Sequence, residues 1–181
     1  MLLAHNFAES SELRLLQPSD GEDLFDLIEQ NRLFLRQWLP ACDLQNSLDD
    51  CKASIKASLD RLAANGGSTL GIWWQGHLAG VIGAGNIDWE NRSTTIGYWL
   101  GECYQGKGLM TGACRALVDY LFFDLKLHRV EIRCAIGNER SCAVPKRLGF
   151  TLEGVLRQAQ AYNDRYFDLE VYGLLAEDWN R

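Results

Sequence analysis

The chain has 181 residues, 47% of them hydrophobic, with three prolines, a formal net charge of −6 and a pI of about 5.1. This length and composition predict a single globular domain over residues 1–181 and exclude a proline-rich linker. The negative charge excludes a broad basic surface for nucleic acid or anionic membranes, so an anionic ligand would have to be held locally.

Targeting and metal-binding signals are absent from the sequence pattern. The first residues, Met1 to Asn6, lack a basic start followed by an apolar run, and no stretch of about 18 apolar residues could span a bilayer. The six cysteines form no Cys-x-x-Cys pair and no zinc-like spacing with the three histidines. We therefore expect a cytoplasmic protein with buried, reduced thiols and no bound metal.

The first part of the chain predicts a strand followed by helices. The strand is expected at residues 12–16, and a helix then starts where Ser19 and Glu22 have the spacing of a capping box. The apolar run of residues 33–39, which ends at a proline, predicts a second, short helix.

The middle of the chain predicts one longer helix and then an antiparallel meander. Ser47 is expected to cap this helix, and Gly66 marks its end. Strands are predicted at residues 68–74 and 78–87, joined by a hairpin. A β-branched and aromatic segment at residues 94–100 predicts the next strand.

A glycine-rich turn, Tyr104 to Thr111, follows this strand and leads into a helix predicted over residues 111–124. Gly106 and Gly108 allow the backbone to turn tightly and to approach a ligand closely. The first turn of the helix leaves N–H groups without internal partners, and these donors favour anions together with the helix dipole. The segment therefore predicts a phosphate site.

The same turn is also compatible with a P-loop or with a plain connection. Gly101 and Gly106-Lys107 fit the Gly-x4-Gly-Lys spacing of a P-loop, but Gly108 stands in place of the Ser or Thr that would hold magnesium. As a plain connection, the turn would only join a strand to a helix and bind nothing.

The last third of the chain predicts a buried strand at residues 129–136, a helix at 139–148 and a final strand pair at 150–156 and 166–175. A polar turn, Tyr162-Asn163-Asp164-Arg165, joins that pair. The predicted fold class is α/β, with a mixed sheet of about seven strands and helices on both faces.

These motifs resemble those of the GCN5-related N-acetyltransferase (GNAT) superfamily. Gln105-x-x-Gly108-x-Met110 is similar to its Gln/Arg-x-x-Gly-x-Gly/Ala pyrophosphate loop, although Met110 is expected to leave less room than Gly or Ala. Within the superfamily, the chain most resembles the RimL-type ribosomal-protein-serine N-acetyltransferases and the related YdaF proteins. The segments that carry this resemblance include Ile96-Gly97-Tyr98-Trp99-Leu100, Gly137-Asn138-Glu139-Arg140-Ser141, Pro145-Lys146-Arg147-Leu148-Gly149-Phe150 and Leu152-Glu153-Gly154.

The resemblance implies acetyl-CoA (coenzyme A) as cosubstrate, without a metal. In this superfamily two central parallel strands part and pantetheine inserts between them; here these would be residues 94–100 and 129–136. The resemblance assigns the cofactor contacts to the strand end, the glycine turn and the start of the following helix motif, namely to Tyr98, Trp99, Leu100, Gln105, Gly106, Lys107, Gly108, Leu109, Met110, Thr111, Asn138 and Ser141.

The implied reaction is direct attack of an amine on acetyl-CoA. A backbone N–H in the segment Tyr98-Trp99-Leu100, with Tyr98 as the catalytic candidate, is expected to polarise the thioester carbonyl, a role that needs no particular side chain. Ser141 is expected to protonate the leaving thiolate, and the alternative is that it only caps the helix near Glu139. Cys134, in the strand that faces the expected thioester, is not needed as a nucleophile.

The base that deprotonates the acceptor is where the chain departs from the family pattern. RimL-type enzymes carry a glutamate proposed as general base, and the alignment places Gln160 there, which cannot accept the proton. An α-amine with a pKa of about 7.7–8.0 is roughly a tenth neutral at pH 7 and can use water as the base, whereas lysine is neutral about one time in a few thousand. The residues considered as stand-in bases are Glu90, Glu102 and Asp164.

By resemblance, the acceptor is the N-terminal α-amine of a ribosomal protein, the serine-initiated stalk protein, and the enzyme can be a homodimer. Phe34, Trp38 and Leu39 would form one wall of the acceptor site, or else only pack in the core. A small amine, a polyamine or an aminoacyl antibiotic is the alternative acceptor. The missing glutamate also leaves open a non-catalytic coenzyme A sensor.

Overall fold

The computed structural model describes residues 4–162 and 165–179 of the chain. Within these ranges, eight strands form one sheet and four α-helices pack on it. The strands are β1 (Ala4–Ala8), β2 (Ser11–Leu15), β3 (Thr69–Trp74), β4 (His77–Ala84), β5 (Ser93–Leu100), β6 (Arg129–Ala135), β7 (Thr151–Tyr162) and β8 (Arg165–Leu175). The helices are α1 (Gly21–Leu35), α2 (Leu48–Ala63), α3 (Leu109–Asp119) and α4 (Glu139–Arg147).

The sheet is mixed, with a single parallel pair of strands at its centre. Its order is β1-β2-β3-β4-β5-β6-β8-β7, and the neighbouring strands are antiparallel except for β5 and β6, which are parallel. The predicted α/β fold with a mixed sheet is thereby confirmed. The strand beyond the expected seven is β1, whose sequence Ala-His-Asn-Phe-Ala carries little β-propensity and pairs with β2.

Helices cover both faces of the sheet, as predicted. Ile72 and Trp73 are consecutive in β3 and therefore point to opposite faces. They belong to two separate clusters of buried apolar side chains. The Ile72 cluster joins the sheet to α3 and α4, and the Trp73 cluster joins it to α1 and α2. No helix in the described part of the chain is long and apolar enough to cross a membrane.

Helix α1 is longer than the sequence predicted. It runs without a break to Leu35, so the second, short helix expected at residues 33–39 is wrong. The reason is that Leu35 continues the stripe of buried residues that begins with Leu24 and Ile28, and it stays on the core face of the same helix. A 3₁₀ turn, Pro40–Leu44, then leads towards α2.

Helix capping matched the prediction at one helix and differed at another. At α2, the Ser47 side chain accepts the N–H of Asp50 at 3.1 Å, as predicted. At the approach to α1, the predicted serine–glutamate pair is replaced by Asp20, whose carboxylate accepts the N–H of Gln17 at 2.8 Å.

The C-terminal strand pair extends further than its apolar pattern indicated. Strand β7 continues past Leu156 because a bulge before Gln160 restores pairing with β8. Within this bulge Gln158 has a φ of 50°, and its N–H is accepted by the carboxylate of Asp168 at 2.8 Å. Of the predicted polar turn, residues 163–164 lie outside the described residues.

Candidate active site

Strands β5 and β6 part near the middle of their length. Their parallel pairing ends at Ile96 opposite Ile132. Strand β5 nevertheless continues to Leu100 with β4 as its other neighbour, and β6 continues to Ala135 beside β8. One edge of residues 97–100 therefore faces a gap, here called the slot. The N–H and C=O groups of Tyr98 and Leu100 point into it and need partners, whereas those of Gly97 and Trp99 alternate towards β4, so the predicted backbone contact of Trp99 is wrong. The predicted parting of this strand pair is confirmed.

The glycine turn lies where β5 leads into α3, at the open end of the slot. Gly106 and Gly108 have φ values of 74° and 77°, and a Cβ on either would meet no atom within 4 Å. Backbone conformation therefore requires these glycines, whereas crowding does not.

The N-terminus of α3 offers unpaired donors at the same place. The N–H of Gly112 donates to the carbonyl of Gly108 over 3.0 Å, so the N–H groups of residues 109–111 precede the helical ladder and point out of it. Residues 106–108 beside them are exposed. Such a cluster of N–H groups at the positive end of a helix dipole suits a phosphate.

Leu109 and Met110 can offer a ligand only their backbone. Met110 is 8% exposed and Leu109 is 3% exposed, and both side chains belong to the core cluster beneath α3. The expectation that Met110 leaves less room in the loop is therefore wrong, because its side chain points away from the exposed turn.

Side chains from α4 and from β3 contact the glycine turn on its two sides. The guanidinium of Arg140, in the first turn of α4, donates to the side-chain oxygen of Gln105. On the other side, the Lys107 ammonium lies 4.8 Å from the ring centroid of Trp74 in β3, a cation–π contact. The ring of Tyr104 meets Trp74 edge-on at 6.1 Å. The role of Trp74 was not predicted, because a local pattern does not show which distant strand ends beside the turn.

Three side chains meet along the slot beyond its last paired residues. The Tyr98 hydroxyl donates to the carbonyl of Ser141 at 2.9 Å, joining β5 to α4. The Ser141 hydroxyl lies 3.3 Å from the sulfur of Cys134 in β6 and 3.5 Å from the Tyr98 oxygen. Ser141 is half-buried, so its hydroxyl lies within a small polar cluster at the wall of the slot.

Burial keeps this cluster protonated at neutral pH. Desolvation raises the pKa of Tyr98 well above its ordinary value, and the nearby thiols of Cys134 and Cys114 raise it further. Burial likewise raises the pKa of Cys134, more than its contacts with Ser141 and Tyr98 lower it. The cluster therefore holds proton donors and no thiolate, which argues against a nucleophilic cysteine here.

Asn138, and not Ser141, caps helix α4. The side-chain oxygen of Asn138 accepts the N–H of Ser141 at 3.2 Å. The alternative in which Ser141 serves only as this cap is therefore wrong, and its hydroxyl is directed to Cys134 and Tyr98 instead. The cap uses the Asn138 oxygen as an acceptor, and the amide nitrogen remains as a donor for a ligand.

Trp38 and Gln160 meet where β6 ends. A Cβ built on Gly137, just after β6, would lie 3.5 Å from the Trp38 ring. The side-chain amide of Gln160 donates to the backbone carbonyl of Trp38 at 3.4 Å. Phe167 of β8, which the sequence did not single out, has its ring centroid 6.1 Å from that of Trp38. These side chains form a partly aromatic wall at the carboxyl end of β6.

The structure does not bring the other substrate-side candidates to this wall. Phe34 and Leu39 are partly buried and pack against the α1–α2 cluster, which fits core packing. Glu90 lies in the turn that precedes β5, whereas the slot opens at the other end of that strand. Glu102 lies two residues after the end of β5 and is exposed near the glycine turn. Asp164 lies outside the described residues.

Comparison with known proteins gives consistent matches over nearly the whole chain. The model of the family described as Acetyltransferase (GNAT) domain matches residues 12–151. YdaF of Bacillus subtilis (strain 168), whose name assigns it provisionally to the ribosomal N-acetyltransferases, is 41% identical over 172 residues, or 94% of each chain. The ribosomal-protein-serine acetyltransferase of Escherichia coli (strain K12) is 31% identical over 170 residues, which cover 94% of this chain and 95% of the relative.

A solved structure is similar to this chain over almost its full length. It is described as RimL, a ribosomal L7/L12 α-N-protein acetyltransferase, in complex with coenzyme A as a CoA–cysteine disulfide. Its TM-score is 0.92 at 28% identity, over 97% of this chain and 99% of that one.

Proposed function

Because this chain belongs to the GNAT acetyltransferase family, we propose that it transfers the acetyl group of acetyl-CoA to the N-terminal α-amine of a ribosomal protein. The observation that carries the proposal is the slot between β5 and β6, with the exposed N–H groups of the glycine turn at its open end. A slot of this kind suits a long, amide-containing arm that ends in a diphosphate.

Different residues of the slot bind different parts of acetyl-CoA. Bound acetyl-CoA supplies an activated acetyl group and a thiolate leaving group. The N–H groups of residues 106–111 hold the diphosphate, since that of Gln105 already donates to the carbonyl of Glu102. Asn138 donates its side-chain amide to the cofactor. The backbone groups of Tyr98 and Leu100 on the free edge of β5 pair with the amides of the arm and place one N–H where it polarises the thioester carbonyl.

Ser141 protonates the departing thiolate. Its hydroxyl already lies 3.3 Å from the sulfur of Cys134 at the slot wall, so a donor is in place for a second sulfur there. Tyr98, which stays protonated because burial raises its pKa, lies 3.5 Å from the serine oxygen and supports its orientation. The acetyl group passes directly to the amine: the N–C bond forms, the C–S bond breaks, and the amine proton leaves to water, from which Ser141 regains the proton that it gave to the sulfur.

Gln160 favours an α-amine over a lysine as acceptor. It occupies the wall beside Trp38, and an amide takes no proton at neutral pH. The acceptor must therefore arrive neutral, as about a tenth of α-amines do at pH 7 but only about one in a few thousand lysines. The names of the Bacillus subtilis and Escherichia coli relatives support a ribosomal protein as the acceptor. Our specific assignment is the N-terminal serine of the stalk protein.

Mass spectrometry of a stalk-protein peptide tests this assignment. The peptide is incubated with the chain and acetyl-CoA, and we expect one added acetyl group on the N-terminal serine. A matched peptide with a blocked N-terminus and the same lysines is the control and should stay unmodified. An unmodified serine together with turnover of a small amine or polyamine would refute the ribosomal acceptor. Coenzyme A binding without turnover of any amine would favour the non-catalytic sensor.

We also propose a homodimer in the cytoplasm, where ribosomal proteins are made. Strand β7 is at one edge of the sheet, and edge strands with apolar side chains need cover. Leu152, Val155 and Leu156 of this strand are 50%, 47% and 39% exposed. Light scattering should give about twice the chain mass of 20.4 kDa. Replacing Leu152 and Val155 by lysine should halve it, and a monomeric wild-type chain would refute the dimer.

A further inference from the structure

Asn31 is a buried polar side chain in α1, and both ends of its amide are hydrogen-bonded. It is 8% exposed. Its nitrogen donates to the carbonyl of Leu27 within α1 at 2.8 Å. Its oxygen accepts the backbone N–H of Glu102 at 2.8 Å, outside the helix. The Asn31 oxygen thus links helix α1 to the backbone of the segment that follows β5.

Glu102 starts the short connection between β5 and the glycine turn. It is the first residue of a 3₁₀ turn, Glu102–Tyr104, which ends directly before Gln105. The preceding Gly101 packs tightly: a Cβ there would lie 3.2 Å from the Asn31 nitrogen and 3.1 Å from the Tyr104 ring. The connection is therefore held at close range against α1, with Asn31 as its polar contact.

The far side of the same connection is held by aromatic contacts. Tyr104 meets Trp74 edge-on, and Trp74 in turn lies under the Lys107 ammonium. On the strand side, pairing with β4 ends at Gly101, whose N–H donates to the carbonyl of Ala79 at 2.9 Å. Beyond Gly101, the Asn31 oxygen fixes the position of the Glu102 N–H, because a hydrogen bond sets both a distance and an angle.

We propose that Asn31 is a positioning residue for the cofactor loop. By holding the backbone of Glu102, it sets the base of the glycine turn at the distance from the slot at which residues 106–111 meet the diphosphate. The inference rests on the proposed function in one respect, namely that this turn binds acetyl-CoA. The inference adds Asn31 of α1, which acts on the cofactor only through the backbone of Glu102.

A similar contact elsewhere in the fold provides a matched control. Ser58 of α2 is 4% exposed, and its hydroxyl oxygen accepts the backbone N–H of Thr69 at 2.7 Å. As at Asn31, a buried helix side chain holds a backbone N–H outside its helix. Thr69 is the first residue of β3, whereas the glycine turn meets the last residue of that strand, Trp74. Losing the Ser58 contact should therefore reduce stability without moving the turn.

The experiment measures coenzyme A binding by titration calorimetry and thermal unfolding for wild type, Asn31→Ala, Asn31→Asp and Ser58→Ala. We expect Asn31→Ala to weaken binding about tenfold, which corresponds to about 1.4 kcal/mol. Asn31→Asp keeps an oxygen towards Glu102 but turns a second oxygen towards the Leu27 carbonyl. It should lower the melting temperature and restore most of the affinity. Ser58→Ala should lower the melting temperature and leave the affinity unchanged.

Affinity that follows melting temperature across the four proteins would overturn the inference, because Asn31 would then be an ordinary core residue. Unchanged affinity in Asn31→Ala would overturn it too. If Asn31→Ala does not fold, Asn31→Ser tests the same contact, since its shorter side chain does not reach the Glu102 N–H. A wild-type chain that does not bind coenzyme A would instead refute the proposed function itself, so the two failures are distinguishable.

Discussion

Ile96 and Ile132 are the last residues at which β5 and β6 pair with each other, and beyond them the facing edges of the two strands are open to a ligand. A ligand that hydrogen-bonds this edge only in the folded chain stabilises the fold by mass action. Coenzyme A at about 100 times its Kd should add about 2.7 kcal/mol. For a chain of this length, that raises the melting temperature by about 5–10 °C.

Differential scanning fluorimetry with a series of coenzyme A concentrations measures this shift. Adenosine is the control ligand because it has neither the diphosphate nor the pantetheine arm, and it should leave the melting temperature unchanged. A melting temperature that does not respond to millimolar coenzyme A would contradict the use of the slot.

Gly108→Glu should abolish coenzyme A binding with little effect on the fold. The new side chain has open space, since a Cβ at Gly108 meets no atom within 4 Å, but it places a carboxylate among the N–H groups that would hold the diphosphate. The φ of 77° adds a conformational cost of about 1–2 kcal/mol for any residue other than glycine.

Gly149→Glu is the matched control for that cost. Gly149 has a φ of 81°, and a Cβ there would also meet no atom within 4 Å. It follows the C-terminal end of α4, whereas Ser141 and the slot lie at the N-terminal end of that helix. Both variants should therefore lose similar stability in urea unfolding, and only Gly108→Glu should lose binding in calorimetry. Equal binding by the two variants would place the phosphate site elsewhere.

Local patterns predicted those parts of the site that are continuous in sequence. The tight turn at Gly106 and Gly108, the helix after it and, elsewhere in the fold, the Ser47 cap all depend on a few neighbouring residues, although α3 begins at Leu109, two residues earlier than predicted. Contacts between distant segments could not be predicted in this way. Two examples are the cation–π contact of Lys107 with Trp74 and the hydrogen bond from the Glu102 N–H to Asn31. Both depend on which strands and helices are neighbours in the fold, and sequence periodicity does not encode this.

Propensity and family resemblance each failed where tertiary packing decided the outcome. Strand β1 has a weakly β-forming sequence and exists because β2 offers it an edge. The resemblance assigned Met110 to a crowded loop, but its side chain is buried in the core. It also left the role of Ser141 open between an acid and a cap, and the hydrogen bonds of Asn138 removed the second alternative.

Ser141→Ala should lower kcat by about 10²–10⁴-fold, the range typical of a positioned general acid, with little change in the KM for acetyl-CoA. Because Asn138 supplies the cap of α4, the substitution should hardly change the melting temperature. Steady-state kinetics with the peptide acceptor gives both constants.

Cys134→Ala is the companion variant to Ser141→Ala. The two side chains are 3.3 Å apart, so both substitutions disturb the same place. Burial raises the pKa of Cys134 and keeps it a thiol, so direct transfer does not use it and most of kcat should remain. A loss of kcat in Cys134→Ala as large as in Ser141→Ala would indicate a covalent intermediate and contradict direct transfer.

Gln160→Glu should extend activity to lower pH. In the wild type no carboxylate stands at this position beside Trp38, so kcat/KM should rise tenfold per pH unit until the acceptor's own pKa of about 7.7–8.0 and then level off. A glutamate there has an ordinary pKa of about 4.3 and is ionised at pH 6, so it can take the proton from the bound ammonium. The rising limb should then move to lower pH.

The pH profile of kcat/KM with the α-amine peptide separates this base effect from a general effect of charge. Gln158→Glu is the control, because it adds the same charge on the same bulged stretch of β7, away from the Trp38 carbonyl. We expect Gln160→Glu to gain about tenfold over wild type at about pH 6.5 and Gln158→Glu to gain nothing. A wild-type profile that is already flat from pH 6 to 8 would show that another group accepts the proton. Equal gains in both variants would show that attraction of the cationic peptide, and not proton transfer, sets the rate.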